Sequence, residues 1–355
     1  MKVSVKKSIL ETILLNTQPY LEKKDLSQIT SHVFISSEDN TLIIKATDHE
    51  IGLTYNTKEI KIITAGNATA NGKKLLDIIK ILKDEEVILE TINDYLYIKQ
   101  NSSKFKLPML NPNDFPLFPE IDSKPKFDIN SKILVQSIKK IAPAIDTNNP
   151  KFELNGSLID IKDGAINLVA TDTKRLAIVK IEKETEHNFS LIIPKKAISE
   201  IQKLFFDDIE MFYDENTLIA SSSNFKFFTK LINGKFPDYQ RIIPKTKNFR
   251  ILLDRRLMID AIKQISIISN EIKITFKAEK IVFESLNDDN IEAKTEIEFK
   301  TGLDDDIFLA VNSRYVLDFL SNIEHDNFTL GFNDSGLPFT LESDNFMTIV
   351  MPIMI

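Results

Sequence analysis

The chain has 355 residues, 43% of them hydrophobic and 27% charged, and a formal net charge of −7. That length is too great for one ordinary domain and suits two or three, each with its own core. The acid excess argues against wholesale positive charge as a means of holding nucleic acid, and the absence of cysteine removes disulfides, thiolate nucleophiles and cysteine-based zinc sites together.

No stretch approaches the roughly eighteen uncharged apolar residues that a membrane span needs, and residues 1–7 alternate like a strand rather than a signal peptide. The expectation is a soluble cytoplasmic protein with no membrane association. His32, His49, His187 and His325 are scattered, with no metal-binding spacing, so neither a metal nor another cofactor is expected.

In chain order, apolar residues at helical spacing predict helices at 6–15, 72–83, 131–142, 194–205, 254–268 and 312–322. Ile133, Leu134, Ile138 and Ile141 show the pattern in the third. Between them, segments with period-two alternation predict strands. In the first third these fall at 41–54, 86–90, 95–100 and 105–108, and in the second at 166–181, 209–212, 217–221 and 225–232. In the last third they fall at 280–285, 328–332, 338–342 and 346–355.

The order of elements recurs three times. Ala46-Thr47-Asp48 and Ala170-Thr171-Asp172 occupy matching places, and the first two copies close on Asp114-Phe115-Pro116 and Phe236-Pro237-Asp238. The copies divide the chain at 1–122, 123–246 and 247–355. Two helices and many short strands per copy imply an α+β class with both helices packed on antiparallel sheet. The six helical segments together carry more Lys and Arg than Asp and Glu, although the whole chain is at −7. If the helices line one surface, that surface is basic within an acidic protein, which suits weak, sequence-independent attraction to phosphates.

Four stretches are similar to the bacterial DNA polymerase III beta subunits, the sliding clamps. They are Leu154-Asn155-Gly156 with Ala170-Thr171-Asp172-Thr173-Lys174-Arg175-Leu176-Ala177; Gly234-Lys235-Phe236-Pro237-Asp238-Tyr239; Asn312, Tyr315 and Asp318; and Val350-Met351-Pro352. With the three repeats, the resemblance spans nearly the whole chain. Thr173 and Lys174 depart from the family, which commonly has Gly and His there, and so does the ending Met354-Ile355.

The resemblance implies three repeated clamp domains and a head-to-tail homodimer closing into a six-domain ring around double-stranded DNA. Such a ring is a processivity factor, not an enzyme. Its partners are the replicative polymerase, the clamp loader and other proteins bearing a short peptide with Leu and Phe anchors. The implied peptide pocket is Leu154, Thr171, Arg175, Leu176, Pro237, Ile242, Asn312, Tyr315, Ile349, Val350, Met351 and Pro352. The implied DNA contacts are Lys23, Lys24, Lys73, Asn148, Lys151, Phe152, Lys195 and Lys196, those at 146–151 on a polar loop expected to be a mobile protrusion. The implied dimer contacts are Phe105 and Leu107 against Ile267 and Ile268.

Two other readings compete. The segment from Gly66 to Lys74 glances at a phosphate loop, but five residues rather than four separate its glycines and neither Ser nor Thr follows Lys73. A peptide-binding scaffold that does not encircle DNA would share the pocket and lack the ring.

Overall fold

The structure is a computed structural model and describes residues 1–25, 27–183, 188–205, 209–286 and 291–355, so His187 lies outside the described residues. The first copy runs β1 (Lys2–Lys6), α1 (Lys7–Thr17), β2 (His32–Glu38), β3 (Thr41–Thr47), β4 (Ile51–Thr57), β5 (Ile60–Thr64), β6 (Gly66–Asn71), α2 (Gly72–Ile81), β7 (Glu86–Ile92), β8 (Tyr95–Gln100) and β9 (Ser103–Pro108). The second runs β10 (Lys126–Asp128), α3 (Ser131–Ile141), β11 (Gly156–Lys162), β12 (Ala165–Thr171), β13 (Arg175–Glu182), β14 (Phe189–Pro194), α4 (Lys195–Leu204), β15 (Glu210–Tyr213), β16 (Thr217–Ser221) and β17 (Phe225–Lys230). The third runs β18 (Phe249–Asp254), α5 (Arg255–Ser266), β19 (Glu271–Phe276), β20 (Lys280–Ser285), β21 (Lys294–Glu298), β22 (Ile307–Asn312), α6 (Ser313–Asn322), β23 (Asn327–Phe332), β24 (Phe339–Ser343) and β25 (Phe346–Val350).

Each copy is therefore two halves of the same plan, a strand, a helix and three strands, with β5 added in the first. All six expected helices form, with ends within two residues of the sequence pattern. Local chemistry sets their starts: Asn71, Asp254 and Asn312 are N-caps whose side chains accept from the N–H of Lys74, Leu257 and Arg314 at 3.1, 2.9 and 3.0 Å. Each helix buries one stripe, for example Leu10, Ile13 and Leu14 on α1 and Met258, Ala261, Ile262 and Ile265 on α5. A fully buried Leu or Ile contributes about 1.5–3 kcal/mol, so these faces fix the helices on their sheets.

Two strand expectations need correction. The stretches at 41–54 and 166–181 are hairpins, β3–β4 and β12–β13, and the shared Thr-Asp pair sits at their turns. The last strand stops at Val350, not Ile355; Pro352 has no N–H to give a ladder, which ends pairing there.

The chain packs as two compact units, Met1–Lys132 with Lys203–Leu231, and Ile133–Gln202 with Ile232–Ile355. The first holds a five-stranded sheet, β5-β1-β7-β8-β9, and an eight-stranded sheet, β10-β15-β16-β17-β4-β3-β2-β6. The second holds an eight-stranded sheet, β14-β11-β12-β13-β25-β24-β23-β18, and a four-stranded sheet, β21-β20-β19-β22. Each eight-stranded sheet thus joins half of one copy to half of the next, through β4 against β17 and through β13 against β25. Among the described residues no helix is long and apolar enough to cross a membrane.

Candidate peptide groove and nucleic-acid surface

The β13–β25 junction builds the groove. Antiparallel register sets Leu176 opposite Ile349 and Ile178 opposite Met347, and alternation turns both pairs to one face of the sheet. Ile192, Leu158, Val169, Ile178 and Met347 form a continuous row across five strands. Leu154, Leu158, Val169, Leu176, Ile178, Ile192 and Ile349 join Phe236 and Tyr239 in one buried cluster, with Ile232, Ile243 and Met347 packed at its margin. The segment from Ile232 to Ile243 therefore lies over this face. It is pinned by the Tyr239 hydroxyl, which donates to Asp160 Oδ2 at 2.8 Å; burial first, and then that carboxylate, push the phenol pKa up. Beside the buried floor, Ile242 and Met351 remain 42% and 43% exposed, an apolar rim open to a ligand.

One end of the groove is a charged knot. Arg175 is only 6% exposed, yet its guanidinium is fully engaged. Nε meets Asp172 Oδ2 at 3.0 Å and Nη1 meets Asp318 Oδ2 at 2.7 Å, while Nη2 donates to the Pro143 carbonyl. Its plane lies over the Tyr315 ring, 4.5 Å from the centroid. Two partly exposed carboxylates offset the desolvation of the buried cation, so removing both would leave an unpaired buried charge. Burial first, and then Asp172, raise the Tyr315 pKa.

The turn that delivers Arg175 is held by two side chains. Thr171 Oγ1 donates to the Arg175 carbonyl at 2.6 Å and accepts from the Thr173 N–H at 3.1 Å. Asp172 Oδ1 accepts from the Lys174 and Arg175 N–H groups, each at 3.0 Å. Thr173 sits at φ 73, a left-handed conformation that glycine adopts more cheaply. Past β25, the Met351 N–H donates to the Lys174 carbonyl at 2.9 Å and the Ile353 N–H to the Ala310 carbonyl at 2.8 Å. These bonds hold Pro352 and Met351 at the groove although the strand has ended.

Of the sequence-derived pocket residues, Leu154, Leu176 and Ile349 meet in the floor, Thr171, Arg175 and Tyr315 in the knot, and Pro237 and Ile242 in the overlying segment. Val350 is fully buried, opposite Arg175. Asn312 caps α6 with its side chain, a structural duty not assigned to it from sequence.

The expected DNA residues fall on exposed turns and helix starts. Lys23 and Lys24 are exposed, their backbone N–H groups donating to Glu22 Oε1 at 2.8 and 2.6 Å. Lys73 is exposed in the first turn of α2, and Lys195 and Lys196 open α4. Asn148, Lys151 and Phe152 stand on the loop between α3 and β11, with Phe152 73% exposed. That loop carries its own hydrogen bonds. The Asn149 amide donates to Asp146 Oδ2 at 2.6 Å, its N–H to Asn155 Oδ1 at 2.8 Å, and its carbonyl accepts from Asn155 Nδ2 at 2.9 Å. Asn side chains that bond their own loop close it.

Among the described residues, none of the six α-helices has an acid in its first turn, and each carries a base there: Lys7, Lys73 with Lys74, Lys132, Lys195 with Lys196, Arg255 with Arg256, and Arg314. Charge at a helix start should be negative for stability, and a cation there costs about 0.3–1 kcal/mol. Lys7 pairs with Glu11 and Arg255 Nε donates to the Leu320 carbonyl at 2.7 Å; where a first-turn cation stays exposed, as at Lys73 and Lys196, it and the helix N-terminus agree on an external anion.

Models of the DNA polymerase III beta subunit match the chain in three consecutive pieces: the N-terminal domain at 1–119, the central domain at 128–238 and the C-terminal domain at 240–354. The chain belongs to the DNA polymerase III beta subunit family. The beta sliding clamp of Helicobacter pylori strain J99 is 39% identical, with 99% of this chain and 100% of that protein covered. The clamp of Buchnera aphidicola is 31% identical, covering 97% and 96%. The solved H. pylori beta clamp bound to a DNA ligase peptide superposes with a TM-score of 0.94 at 40% identity, covering 100% of both chains. The three clamp domains and the α+β class expected from the repeats are thus those of this family.

Several residues of the groove carry little signal in the sequence. Phe236 and Tyr239 lay inside the quoted Gly234–Tyr239 motif, and their aromatic character signalled burial. Asp318 was the last residue of the quoted Asn312–Asp318 pattern, but only the fold brings it to Arg175. Nothing local marks the Pro143 carbonyl, Leu158 or Ile178.

The four expected interface residues differ in exposure. Phe105 is half-buried and Leu107 buried on β9, an edge strand of the five-stranded sheet, whereas Ile267 and Ile268 are 82% and 40% exposed just beyond α5. Among the described residues no group of three or more His, Asp or Glu is placed to hold a metal ion.

Proposed function

We propose that two copies of this chain close head to tail into a six-domain ring that encircles double-stranded DNA and slides along it. The ring tethers the replicative polymerase, the clamp loader and other peptide-bearing partners through the β13–β25 groove. The repeats 1–122, 123–246 and 247–355 serve as its three domains per subunit. It is a non-catalytic processivity factor of the cytoplasm, and its work is enclosure.

The observation that carries the DNA side of this reading is the basic first turn of every helix in a chain of net charge −7. Phosphates met by such cations attract weakly and without regard to sequence, and salt screens them. Retention must then come from a closed ring, which leaves the protein free to slide.

Ring closure is supported by two unpaired edges. β9 presents exposed Lys104 and Lys106, and β21 presents exposed Glu296 and Glu298. An open edge with charges is safe alone and ready for a complementary strand, and Ile267 and Ile268 supply an apolar contact for Phe105. A head-to-tail joint repeated twice closes on itself. For the groove, the apolar floor and open rim suit Leu and Phe anchors, and Met351 adapts to varied ligands.

Electron-microscope images of the purified protein test the ring. A toroid whose hole admits a duplex is expected, and a particle with no such hole would refute the reading in favour of an open peptide scaffold.

A further inference from the structure

We infer that the loop between α3 and β11 couples the groove to DNA, so that a peptide in the groove and a phosphate at Lys195 each favour the same closed loop and each tightens the other. This rests on the groove and DNA surface proposed above and deepens both.

The base of the loop belongs to the groove. Leu154 is part of its floor, and the Leu154 carbonyl accepts from the Asp146 N–H at 3.2 Å. The Pro143 carbonyl, at the other root, is held by Arg175. The crest belongs to the DNA surface, with Asn148, Lys151 and the exposed Phe152. Between root and crest sits a clasp: Lys195 Nζ donates to the Ile145 carbonyl at 2.9 Å and to Thr147 Oγ1 at 2.6 Å. An ammonium has three donors, so two hold the loop and one remains for a phosphate oxygen, a charge-assisted bond.

Opening the loop would cost Lys195 both bonds and leave Leu154 and Arg175 without their loop partners. A peptide packed on Leu154 opposes that opening, and so does a phosphate that needs the ammonium held in place. Ligands that favour the same state cooperate, and the effect is equal in both directions. Thr147, on this reading, is a positioning residue for a DNA contact it does not make.

The test is the affinity of a short fluorescent peptide bearing a Leu-Phe pair, measured by anisotropy on the full chain with and without saturating linear duplex. Tightening by about fivefold is expected with duplex present. Thr147→Val removes the hydroxyl and leaves every charge in place, and it should bring the ratio close to one while both ligands still bind. Lys195→Met should do the same and also weaken the duplex. An unaltered protein that binds both ligands with a ratio of one would overturn the coupling alone, as would a ratio untouched by Thr147→Val. Failure to bind the peptide at all would overturn the groove, and failure to bind duplex the DNA surface, each taking the inference with it.

Discussion

The two eight-stranded sheets are joined in the same way, and only one of the joints is open. At β4–β17 the turn from Thr47 to Ile51 repeats the bonds of Thr171 to Arg175. Thr47 Oγ1 donates to the Ile51 carbonyl at 2.8 Å, and Asp48 Oδ1 accepts from Glu50 and Ile51 N–H at 3.0 Å each. His49 takes the left-handed place of Thr173, at φ 74 against 73. The register also matches: Phe228 faces Gly52 where Ile349 faces Leu176.

The contents differ. A Cβ on Gly52 would lie 2.3 Å from Phe228 Cε1, so the ring occupies the space over the glycine. Phe118, from the segment after β9, packs edge-on against Phe228 at 4.8 Å, and Phe115 lies tilted against Phe34 at 5.4 Å. The first joint is filled by its own aromatics, whereas the second keeps Leu176 and Ile349 as a floor with an exposed rim. Where the second has Arg175 in its knot, the first has buried Ile51. One backbone plan, duplicated, is filled in one place and open in the other by the side chains set on it.

Breaking the knot should have the largest effect. Arg175→Ala removes the charge-assisted bonds to Asp172, Asp318 and the Pro143 carbonyl, each worth about 1.5–3 kcal/mol; thermal unfolding and peptide titration should both register it, while Ile51→Ala leaves peptide binding unchanged. Next, Ile349→Phe copies the filled joint into the open one. Peptide affinity should fall more than about tenfold, the loss of one anchor site, and the unfolding temperature should fall too, because Ile349 is buried opposite Leu176 and overpacking there costs about 1–3 kcal/mol.

Filling in the other direction, Gly52→Leu forces Phe228 aside at about 1–3 kcal/mol. Adding Phe228→Ile should recover much of that, since it restores the pair found at Leu176 and Ile349. Thr47→Val and Thr171→Val each remove the two hydrogen bonds of one hydroxyl, each bond worth about 1 kcal/mol. Equal losses in chemical denaturation are expected if the turns are truly the same, with peptide affinity changed only by the second.

A pH dependence also arises in the first unit. His32 is pushed down to about 4 by burial, with Lys74 adding to the shift. It folds neutral, so its contribution is complete above the unfolded value of about 6.5 and is lost as pH falls toward 4. Unfolding temperature should therefore drop between about pH 7 and 5, and His32→Gln should flatten that slope.

The helices, the three copies and most strands were legible because amphipathic spacing and capping residues are local signals. The duplicated Thr-Asp pair was visible too, but reading it as part of a strand missed its use at a turn. Arg175 was placed by resemblance alone; a charged residue between Lys174 and Leu176 gives no sign that it is buried, because its partners lie at Pro143 and Asp318. The hydrogen bonds of the loop at 146–151 were not legible, because its polar residues carry no local sign of their partners and Lys195 reaches it from 48 residues away.

The most direct measurement is retention on DNA of different topology. Loaded onto nicked circular DNA, the protein should stay bound at high salt and leave when the circle is cut. Equal release from circular and linear DNA would contradict enclosure and leave only a protein that binds peptides.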